Sequence, residues 1–183
     1  MPVNNNIDNI GSDIINFSLK GVDDKYYTLS DFIEKEIIII LFICNHCPYV
    51  KAVIDRYVKF QEKYKNKNVQ LIGINSNDSK AYPEDSFENM KLFTEKHKIN
   101  FPYLYDETQI VAGNYQAVCT PDIFVYDKSR TLKYRGRFDD NWKEEDKVME
   151  RDLGKAVELL LEGEGINFNQ IPSMGCSIKW KND

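Results

Sequence analysis

The pattern of apolar positions divides the chain into short apolar runs and amphipathic stretches. Residues 37–43 form an unbroken apolar run, and residues 69–76 form a second one. Such runs are typical of strands covered on both faces in a largely parallel sheet, because a half-exposed strand would alternate apolar and polar residues. Between the runs, apolar residues recur at mostly helical spacing from Val50 to Tyr64, which predicts a helix ending near Lys65. A strand, a helix and a strand in this order indicate a right-handed parallel crossover.

Shorter elements are predicted on both sides of this unit. Before it, the pattern predicts two short strands and a helical turn, at residues 14–19, 25–28 and 28–32. After it come a polar loop, a helix, a strand and a second short helix, at residues 75–85, 83–98, 101–105 and 107–115. An antiparallel hairpin and a last helix follow at residues 123–138 and 143–163, and residues 165–183 are predicted to be mostly irregular.

Length and composition predict one domain of ordinary globular type. The chain has 183 residues and a mass of 21.4 kDa, which is enough for a sizeable core. We expect residues 1–13, which are polar and rich in asparagine, to form a flexible arm, and residues 14–183 to form the domain. The net charge of −5 argues against nucleic acid or an anionic membrane as a partner.

The sequence favours a cytoplasmic location. The first residues contain no basic segment followed by an apolar core, so they do not predict a signal peptide. No apolar run approaches the roughly 20 residues that a membrane-spanning helix needs. Because the cytosol is reducing, a persistent structural disulfide is not expected there.

Two cysteines, Cys44 and Cys47, lie where the first apolar run meets the predicted helix. The first turn of a helix has unpaired N–H groups and a partial positive charge, which together stabilise a thiolate. Cys-x-x-Cys sites in this position have pKa values from roughly 3.5 to 7. Pro48 fits a first helical turn, because it has no N–H group and its φ angle is suitable. We interpret Cys44 as an exposed attacking sulfur and Cys47 as its shielded resolving partner.

Other interpretations of the two cysteines remain open. A Cys-x-x-Cys pair forms structural disulfides and half of many zinc sites, and it also occurs by accident in a core. The position between strand and helix, together with the expected cytosolic location, favours a working redox pair. His46, if protonated, would further stabilise the Cys44 thiolate. The sequence does not predict a bound cofactor or metal.

A second informative stretch is Cys119-Thr120-Pro121, directly before an apolar strand. A proline at a strand start lies where no ladder N–H group is needed. Cys119 could be a third redox thiol, a metal ligand or a small buried residue. Cys176, in the predicted irregular tail, could fold back towards the site or pair with Cys119.

The order of elements and four short motifs resemble the thioredoxin fold, and more narrowly the redoxin branch of the alkyl hydroperoxide reductase/thiol-specific antioxidant superfamily. The motifs are CNHCPYV, CTPD, YRGRFDD and GCSIKW, at residues 44–50, 119–122, 134–140 and 175–180. The resemblance covers nearly the whole chain from about Ile14. It implies an α/β protein with a central mixed sheet flanked by helices, an N-terminal β-hairpin extension and an inserted strand–helix unit.

The resemblance also implies an activity, that of a thiol–disulfide oxidoreductase. Cys44 matches the nucleophile and Cys47 the resolving cysteine of such enzymes. Pro121 matches a cis-proline that faces the disulfide, and Thr120 matches the residue whose backbone groups bind an extended substrate peptide. The implied partners are protein or small-molecule disulfides and thiols, together with a reducing or oxidising partner protein. The single histidine between the cysteines also resembles the Cys-Pro-His-Cys centres of bacterial oxidases, so the direction of electron flow stays open.

The sequence departs from its relatives at several positions. A peroxidase would need threonine three residues before its reactive cysteine, and Leu41 stands there relative to Cys44. We therefore expect peroxidase activity only as an alternative. Thioredoxin has a buried acid where this chain has Ile38, so the proton acceptor must be another group, and the candidates are water or the side chains His46, Asp139 and Asp140. As a third possibility, the Cys and His side chains would hold copper(I) or zinc.

Overall fold

The structure is a computed structural model that describes residues 2–5 and 7–181. Within these residues the strands are β1 (Pro2–Asn4), β2 (Ser18–Gly21), β3 (Tyr26–Thr28), β4 (Ile37–Phe42), β5 (Val69–Asn75), β6 (Tyr103–Tyr105), β7 (Cys119–Thr120), β8 (Asp122–Tyr126), β9 (Leu132–Arg135) and β10 (Met174–Ser177). The α-helices are α1 (Pro48–Tyr64), α2 (Phe87–His97), α3 (Ile110–Tyr115) and α4 (Asp152–Leu161).

A mixed central sheet carries the fold. Its strand order is β3-β2-β6-β5-β4-β8-β9. Strands β4, β5 and β6 run parallel to one another, whereas β2 and β8 join them antiparallel. The hairpin of β2 and β3 lies at one edge and the hairpin of β8 and β9 at the other. This arrangement confirms the predicted α/β thioredoxin fold with a central mixed sheet.

Strand β4 is buried on both faces, as its apolar run predicts. Ile37, Ile39 and Leu41 pack in a core cluster that also contains buried residues of α1, α2 and α4. Ile38 and Ile40, on the opposite face, belong to a second cluster with buried residues of α3. Each buried aliphatic side chain contributes about 1.5–3 kcal/mol relative to an exposed one. Burial on both faces therefore fixes the position of β4, and with it the start of α1.

A small second sheet joins the two ends of the described chain. It contains β1, β10 and β7 in this order, with Pro2 opposite Cys176 and Cys176 opposite Thr120. The sequence predicted a flexible arm and an irregular tail at these positions. The structure instead gives residues 2–4 and 174–177 strand geometry. These strands are too short and too polar to produce a hydrophobic pattern. The backbone pairing of β1 with β10, and of β10 with β7, defines them.

The last helix is shorter than the sequence predicted. A helix was expected over residues 143–163, but α4 begins only at Asp152, after a 3-10 turn at Glu145–Lys147. Met149, which lies in the segment before α4, is 85% exposed. The side chain of Arg56 binds the carbonyl oxygens of Asn141 and Trp142 at 2.9 and 2.6 Å. Because these carbonyl oxygens bind the Arg56 guanidinium group, the segment around residues 141–142 is held as a loop, and the helix begins only at Asp152.

None of the helices within residues 2–5 and 7–181 combines the length and the apolar character that a bilayer span requires.

Candidate active site

The two cysteines occupy the junction that the sequence predicted. Cys44 lies two residues beyond the end of β4, and Cys47 is the N-cap residue of α1. Pro48 follows as the first helical residue, where its missing N–H group leaves no donor unpaired. The strand-to-helix turn therefore brings both sulfur atoms to the positive end of α1.

Both sulfur atoms are shielded from solvent. The exposed fraction of Cys44 is 0%, and that of Cys47 is also 0%. The expectation that Cys44 is exposed is therefore wrong for this conformation, whereas shielding of Cys47 is confirmed. The sequence could not show what shields the two cysteines, because the shielding residues come from segments that are distant along the chain. Thr120 of β7 contacts both cysteines, and Asp85 binds the loop between them.

The Thr120–Pro121 peptide bond is cis, as the resemblance implied. The hydroxyl oxygen of Thr120 lies 3.3 Å from Cys44 Sγ, and its carbonyl oxygen lies 3.1 Å from Cys47 Sγ. One residue thus contacts both sulfur atoms. The predicted role of the Thr120 backbone in binding a substrate peptide stays a prediction, since here β7 pairs with β10.

The surroundings favour a single thiolate shared by the pair. Hydrogen bonding from the Cys44 thiol lowers the pKa of Cys47 to about 5, with further support from the Cys176 thiol and the N–H group of Val50. Burial raises the pKa of Cys44 well above its ordinary value, and the nearby charges of Asp85 and of the Cys47 thiolate raise it further. At neutral pH the pair therefore holds one proton and one negative charge.

Cys176 completes a row of three sulfur atoms. Its thiol and its backbone N–H group both lower the pKa of Cys47. Burial raises the pKa of Cys176 to about 11, and the contact with Cys47 raises it as well. Of the alternatives that the sequence left open, the structure selects folding back towards the site, because Cys176 lies on β10 opposite Thr120. Cys176 is half-buried, whereas Cys44 and Cys47 are fully buried.

The most important residue that the sequence interpretation missed is Asp85, a fully buried carboxylate beside Cys44. Its Oδ1 accepts hydrogen bonds from the backbone N–H groups of Asn45 and His46, at 2.6 and 3.2 Å. Its Oδ2 accepts from His46 Nδ1 at 2.5 Å and from Asn77 Nδ2 at 2.7 Å. Four donors from three residues compensate the burial of this charge.

Asp85 supplies the buried acid that Ile38 could not. The sequence did indicate that the polar loop of residues 75–85 lies at the same sheet edge as Cys44, because ligands and polar groups gather at the carboxyl ends of parallel strands. It could not single out one carboxylate, because this loop also contains Asp78 and Glu84. The backbone turn at Pro83–Asp85 makes that choice by aiming Asp85 inward.

His46 is oriented by Asp85 and by an aromatic ring. Because an ionised carboxylate only accepts hydrogen bonds, the 2.5 Å contact assigns a proton to His46 Nδ1. The imidazole also stacks on the ring of Tyr82, with centroids 5.2 Å apart and planes 9° from parallel. His46 is only partly exposed, because these two contacts hold its ring against the protein.

Cys44, His46 and Asp85 also have the composition of a metal site. Each offers one ligand atom, and these atoms lie within 4.8 Å of one another. The Asp85 oxygen atoms, however, already accept four hydrogen bonds, one of them from His46 itself. A metal ion would have to replace the contact between His46 and Asp85, so the geometry fits a hydrogen-bonded pair better than a ligand set.

The other candidates from the sequence have structural partners. Asp139 is held in a buried ion pair with Arg56, with 2.6 Å between Oδ2 and Nη1. Asp140 accepts a hydrogen bond from the backbone N–H group of Met149. Both were candidates for the missing proton acceptor, and the structure places Asp85 and His46 beside Cys44 instead. Burial raises the pKa of Cys119, so its thiol stays protonated. Cys119 Sγ lies 3.4 Å from the carbonyl oxygen of Pro121.

Comparison with known proteins places this site in a family. A conserved protein of unknown function from Geobacillus kaustophilus is 42% identical, with a TM-score of 0.94 over 100% of this chain and 98% of that one. A putative protein disulfide isomerase from Bacteroides thetaiotaomicron is 19% identical, with a TM-score of 0.66 over 85% of this chain and 92% of that one, which shows a shared fold.

A curated relative comes from wheat. Chloroplastic peroxiredoxin Q of Triticum aestivum is 29% identical over 92 residues, which are 50% of this chain and 39% of the wheat protein. The match thus spans well under half the length of that relative. The profile of the AhpC/TSA family matches residues 10–135, which contain Cys44, Cys47 and the cis-proline. This chain is a redoxin that belongs to the AhpC/TSA family.

Proposed function

We propose that the protein is a thiol–disulfide oxidoreductase in which Cys44 and Cys47 form the redox pair. The observation that carries the proposal is the placement of both sulfur atoms at the N-terminus of α1, in contact with Thr120. Two sulfur atoms at the N-terminus of α1 hold one proton between them, and the cis Thr120–Pro121 segment contacts both. A thiolate is the nucleophile in disulfide exchange, and a second thiol beside it allows the mixed disulfide to be resolved.

The proposed order of steps assigns the attack to Cys44. Cys44 is the first cysteine of the Cys-x-x-Cys motif, which is the position of the nucleophile in the family that the chain resembles. Transfer of the shared proton from Cys44 to Cys47 converts Cys44 into the thiolate without creating a second charge. The Thr120 hydroxyl, 3.3 Å away, then donates to Cys44 Sγ and stabilises that form.

The proposed reaction transfers two electrons in two steps. The Cys44 thiolate attacks one sulfur of the substrate disulfide, and the other sulfur leaves as a thiolate. Cys47 next gives up its proton and attacks Cys44 Sγ, which releases the second substrate sulfur and forms the Cys44–Cys47 disulfide. The substrate is reduced by two electrons and the pair is oxidised by two. A partner protein with its own thiols would reduce the pair again, and the reverse sequence would oxidise a substrate.

A peroxidase is the second candidate, and Thr120 favours it. The sequence pattern lacked a hydroxyl group near the reactive cysteine, but folding brings the Thr120 hydroxyl to 3.3 Å from Cys44 Sγ. In that reaction the Cys44 thiolate would attack a peroxide oxygen, form a sulfenic acid and release an alcohol or water. Cys47 would then condense with the sulfenic acid, forming the disulfide and releasing water.

The experiment is a redox titration in glutathione buffers, with Cys47→Ser as the inactive variant and Cys119→Ser as a matched control. We expect a reversible two-electron couple in the wild-type protein and in the control, and none in Cys47→Ser. A midpoint near −270 mV would indicate a reductant, and one near roughly −120 mV an oxidant. If no disulfide forms in any of the glutathione buffers, the oxidoreductase proposal is refuted. The metal content of the purified protein would then test the metal-binding alternative.

A second experiment separates disulfide exchange from peroxide reduction. The wild-type protein, reduced and freed of excess thiol, is treated with one equivalent of hydrogen peroxide or of an oxidised dithiol. Loss of two thiols only with the disulfide supports the oxidoreductase. Faster loss with peroxide, abolished in Thr120→Val, would support the peroxidase instead.

A further inference from the structure

We infer that Cys176 is a third redox-active thiol, which exchanges with the Cys44–Cys47 disulfide and carries it to the protein surface as a Cys47–Cys176 disulfide. The inference rests on the proposed function and adds a route by which partner proteins reach a buried site. Cys44 and Cys47 have no exposed surface, whereas Cys176 is half-buried on β10.

The position of Cys176 is fixed by strand pairing. On β10, Cys176 lies opposite Thr120 of β7, the residue whose carbonyl oxygen is 3.1 Å from Cys47 Sγ. Strand β10 is therefore held against α1, and the thiol and the backbone N–H group of Cys176 both lower the pKa of Cys47. A disulfide between Cys47 and Cys176 would need side-chain rotation and a small backbone adjustment.

Gly175 is required for this close approach. A Cβ atom at residue 175 would lie 2.1 Å from the carbonyl oxygen of Thr120 and 3.0 Å from the nitrogen of Pro121. No side chain fits there, so only glycine lets β10 pack directly on the cis peptide. The neighbouring residue, Cys176, thereby reaches the row of sulfur atoms.

The proposed exchange conserves electrons and atoms. The Cys176 thiolate attacks Cys47 Sγ in the Cys44–Cys47 disulfide, a bond forms between Cys176 and Cys47, and the electron pair of the broken bond leaves on Cys44. The proton lost by Cys176 is taken up by Cys44, directly or through solvent. No oxidant or reductant is consumed, because one disulfide replaces another.

The exchange changes which sulfur atom is accessible to a partner protein. In the Cys44–Cys47 form neither sulfur is accessible, whereas in the Cys47–Cys176 form the disulfide ends at a half-buried strand. A reducing dithiol then attacks Cys176 Sγ, Cys47 leaves as a thiolate, and the second thiol of the reductant resolves the mixed disulfide. Cys44 stays free during this step and is ready for substrate.

Peptide mapping tests the inference. Each protein is oxidised with diamide, its remaining thiols are alkylated in acid, and it is digested with trypsin. Cys44 and Cys47 fall in one peptide, residues 36–51, and Cys176 falls in another, residues 156–179. We expect linked peptides in the wild-type protein beside the internal disulfide of peptide 36–51. In Cys44→Ser, the linked pair should become the dominant oxidised form.

A rate measurement then tests whether the exchange is used. We expect Cys176→Ser and Cys176→Ala to slow reduction of the oxidised protein by a thioredoxin-type protein dithiol at least tenfold. Cys119→Ser is the matched control, because Cys119 lies on the strand paired with β10 and is not among the groups in hydrogen-bonding contact with Cys47. This control should reduce at the wild-type rate.

The outcomes separate the inference from the proposed function. If Cys44→Ser gives no linked peptides while the wild-type protein still forms the internal disulfide, the inference is overturned and the oxidoreductase stands. If both Cys176 variants retain their wild-type melting temperature and are reduced at the wild-type rate, Cys176 is not the route to the surface. If no variant and no wild-type sample forms a disulfide, both proposals fail together.

Discussion

The imidazole of His46 is held by Asp85, with 2.5 Å between Nδ1 and Oδ2, inside a loop that also binds the same carboxylate through two backbone N–H groups. The two residues are 39 positions apart in sequence. This contact joins the Cys-bearing turn to the polar segment after β5. It therefore links the conformation of the cysteine loop to the presence of one negative charge.

Replacing that charge tests its role. Backbone N–H groups cannot change tautomer, so in Asp85→Asn the amide oxygen stays with Asn45 and His46 N–H, and the new NH2 group takes the place of Oδ2. It then points its donors at His46 Nδ1 and Asn77 Nδ2, so at least one donor loses its acceptor. We expect a loss of about 2–4 kcal/mol in the free energy of unfolding, typical of a buried charged hydrogen-bond network. Urea denaturation at pH 7 measures the loss, and nitrogen NMR of the imidazole should show that Nδ1 no longer carries its proton.

Glu84→Gln is the matched control for this change. Glu84 is the exposed neighbour of Asp85, and it contacts the site only through its backbone oxygen, which accepts from Asn45 Nδ2. The free energy of unfolding of Glu84→Gln should stay within about 0.5 kcal/mol of that of the wild-type protein. Equal effects of the two substitutions would argue that general surface charge, and not the buried contact, stabilises the loop.

The low pKa of Cys47 predicts a thiolate that persists in mild acid. In the reduced wild-type protein, thiolate absorbance near 240 nm should titrate with a midpoint near pH 5, the value to which the Cys44 thiol and its other donors lower it. Cys47→Ser should lose this transition. Cys44→Ala and Cys176→Ala should move it upward towards the ordinary value of about 8.5, with the larger shift in Cys44→Ala because Cys44 is the principal donor.

The same shift links stability to pH. Between about pH 5 and the ordinary pKa, unfolded Cys47 holds a proton that folded Cys47 has released, so the unfolded state binds more protons. The stability of the reduced protein should therefore rise with pH across this window, relative to Cys47→Ser, and the advantage should vanish as the pH falls through 5. A pH-independent difference between the two proteins would contradict the thiolate assignment.

Strong periodic signals allowed the sequence to predict the centre of the fold and part of the site. The apolar run of β4 and the helical spacing of α1 placed Cys44 and Cys47 correctly, because burial on two faces leaves little choice of structure. The family motifs predicted the cis bond before Pro121. In both elements many residues share one pattern, so packing in the folded protein favours the same structure as the local sequence does.

The rest depended on contacts between segments distant in sequence. Asp85 could not be distinguished from Asp78 or Glu84, because only the folded loop determines which carboxylate points inward. Burial of Cys44 depends on Thr120, which is 76 residues away. Strand β10 has no apolar alternation, and its geometry follows from backbone pairing and from the space that Gly175 leaves.

The space at Gly175 gives a further prediction. In Gly175→Ala the new methyl group would overlap the Thr120 carbonyl group, so β10 must move away from β7. We expect a loss of about 1–3 kcal/mol in stability, as for other overpacked sites. If the proposed exchange is correct, the yield of linked peptides 36–51 and 156–179 should fall several-fold in this variant.

Gly165→Ala serves as its control, because a methyl group there would meet no atom within 4 Å. Its stability and its yield of linked peptides should match the wild-type protein. If Gly175→Ala behaved in the same way as Gly165→Ala, the close packing of β10 on the cis peptide would not be what positions Cys176.

The buried ion pair between Arg56 and Asp139 predicts the largest change in stability. Arg56 Nη1 lies 2.6 Å from Asp139 Oδ2, and both side chains are almost fully buried. In Arg56→Ala the carboxylate would remain buried without its cation, and Asn141 and Trp142 would lose the donor that holds their carbonyl oxygens. We expect a loss of about 3–5 kcal/mol in the free energy of unfolding at pH 7.

A matched control lies one helical turn further along α1. Lys59 pairs with Glu145 at 3.1 Å, but both side chains are exposed. Lys59→Ala should change stability by less than about 1 kcal/mol, because solvent screens such a pair. The contrast between the two variants isolates the effect of burial from that of ion pairing.

The loss in Arg56→Ala should also depend on pH. Burial already raises the pKa of Asp139, and Arg56 is the main group that opposes this shift. Without Arg56 the folded state would bind a proton more readily than the unfolded state does, so stability should fall as the pH rises above the ordinary carboxyl pKa. The difference from the wild-type protein should therefore be smaller at pH 4 than at pH 7. Urea denaturation at the two pH values measures it, and an equal loss at both would mean that Asp139 gains solvent or another partner when Arg56 is removed.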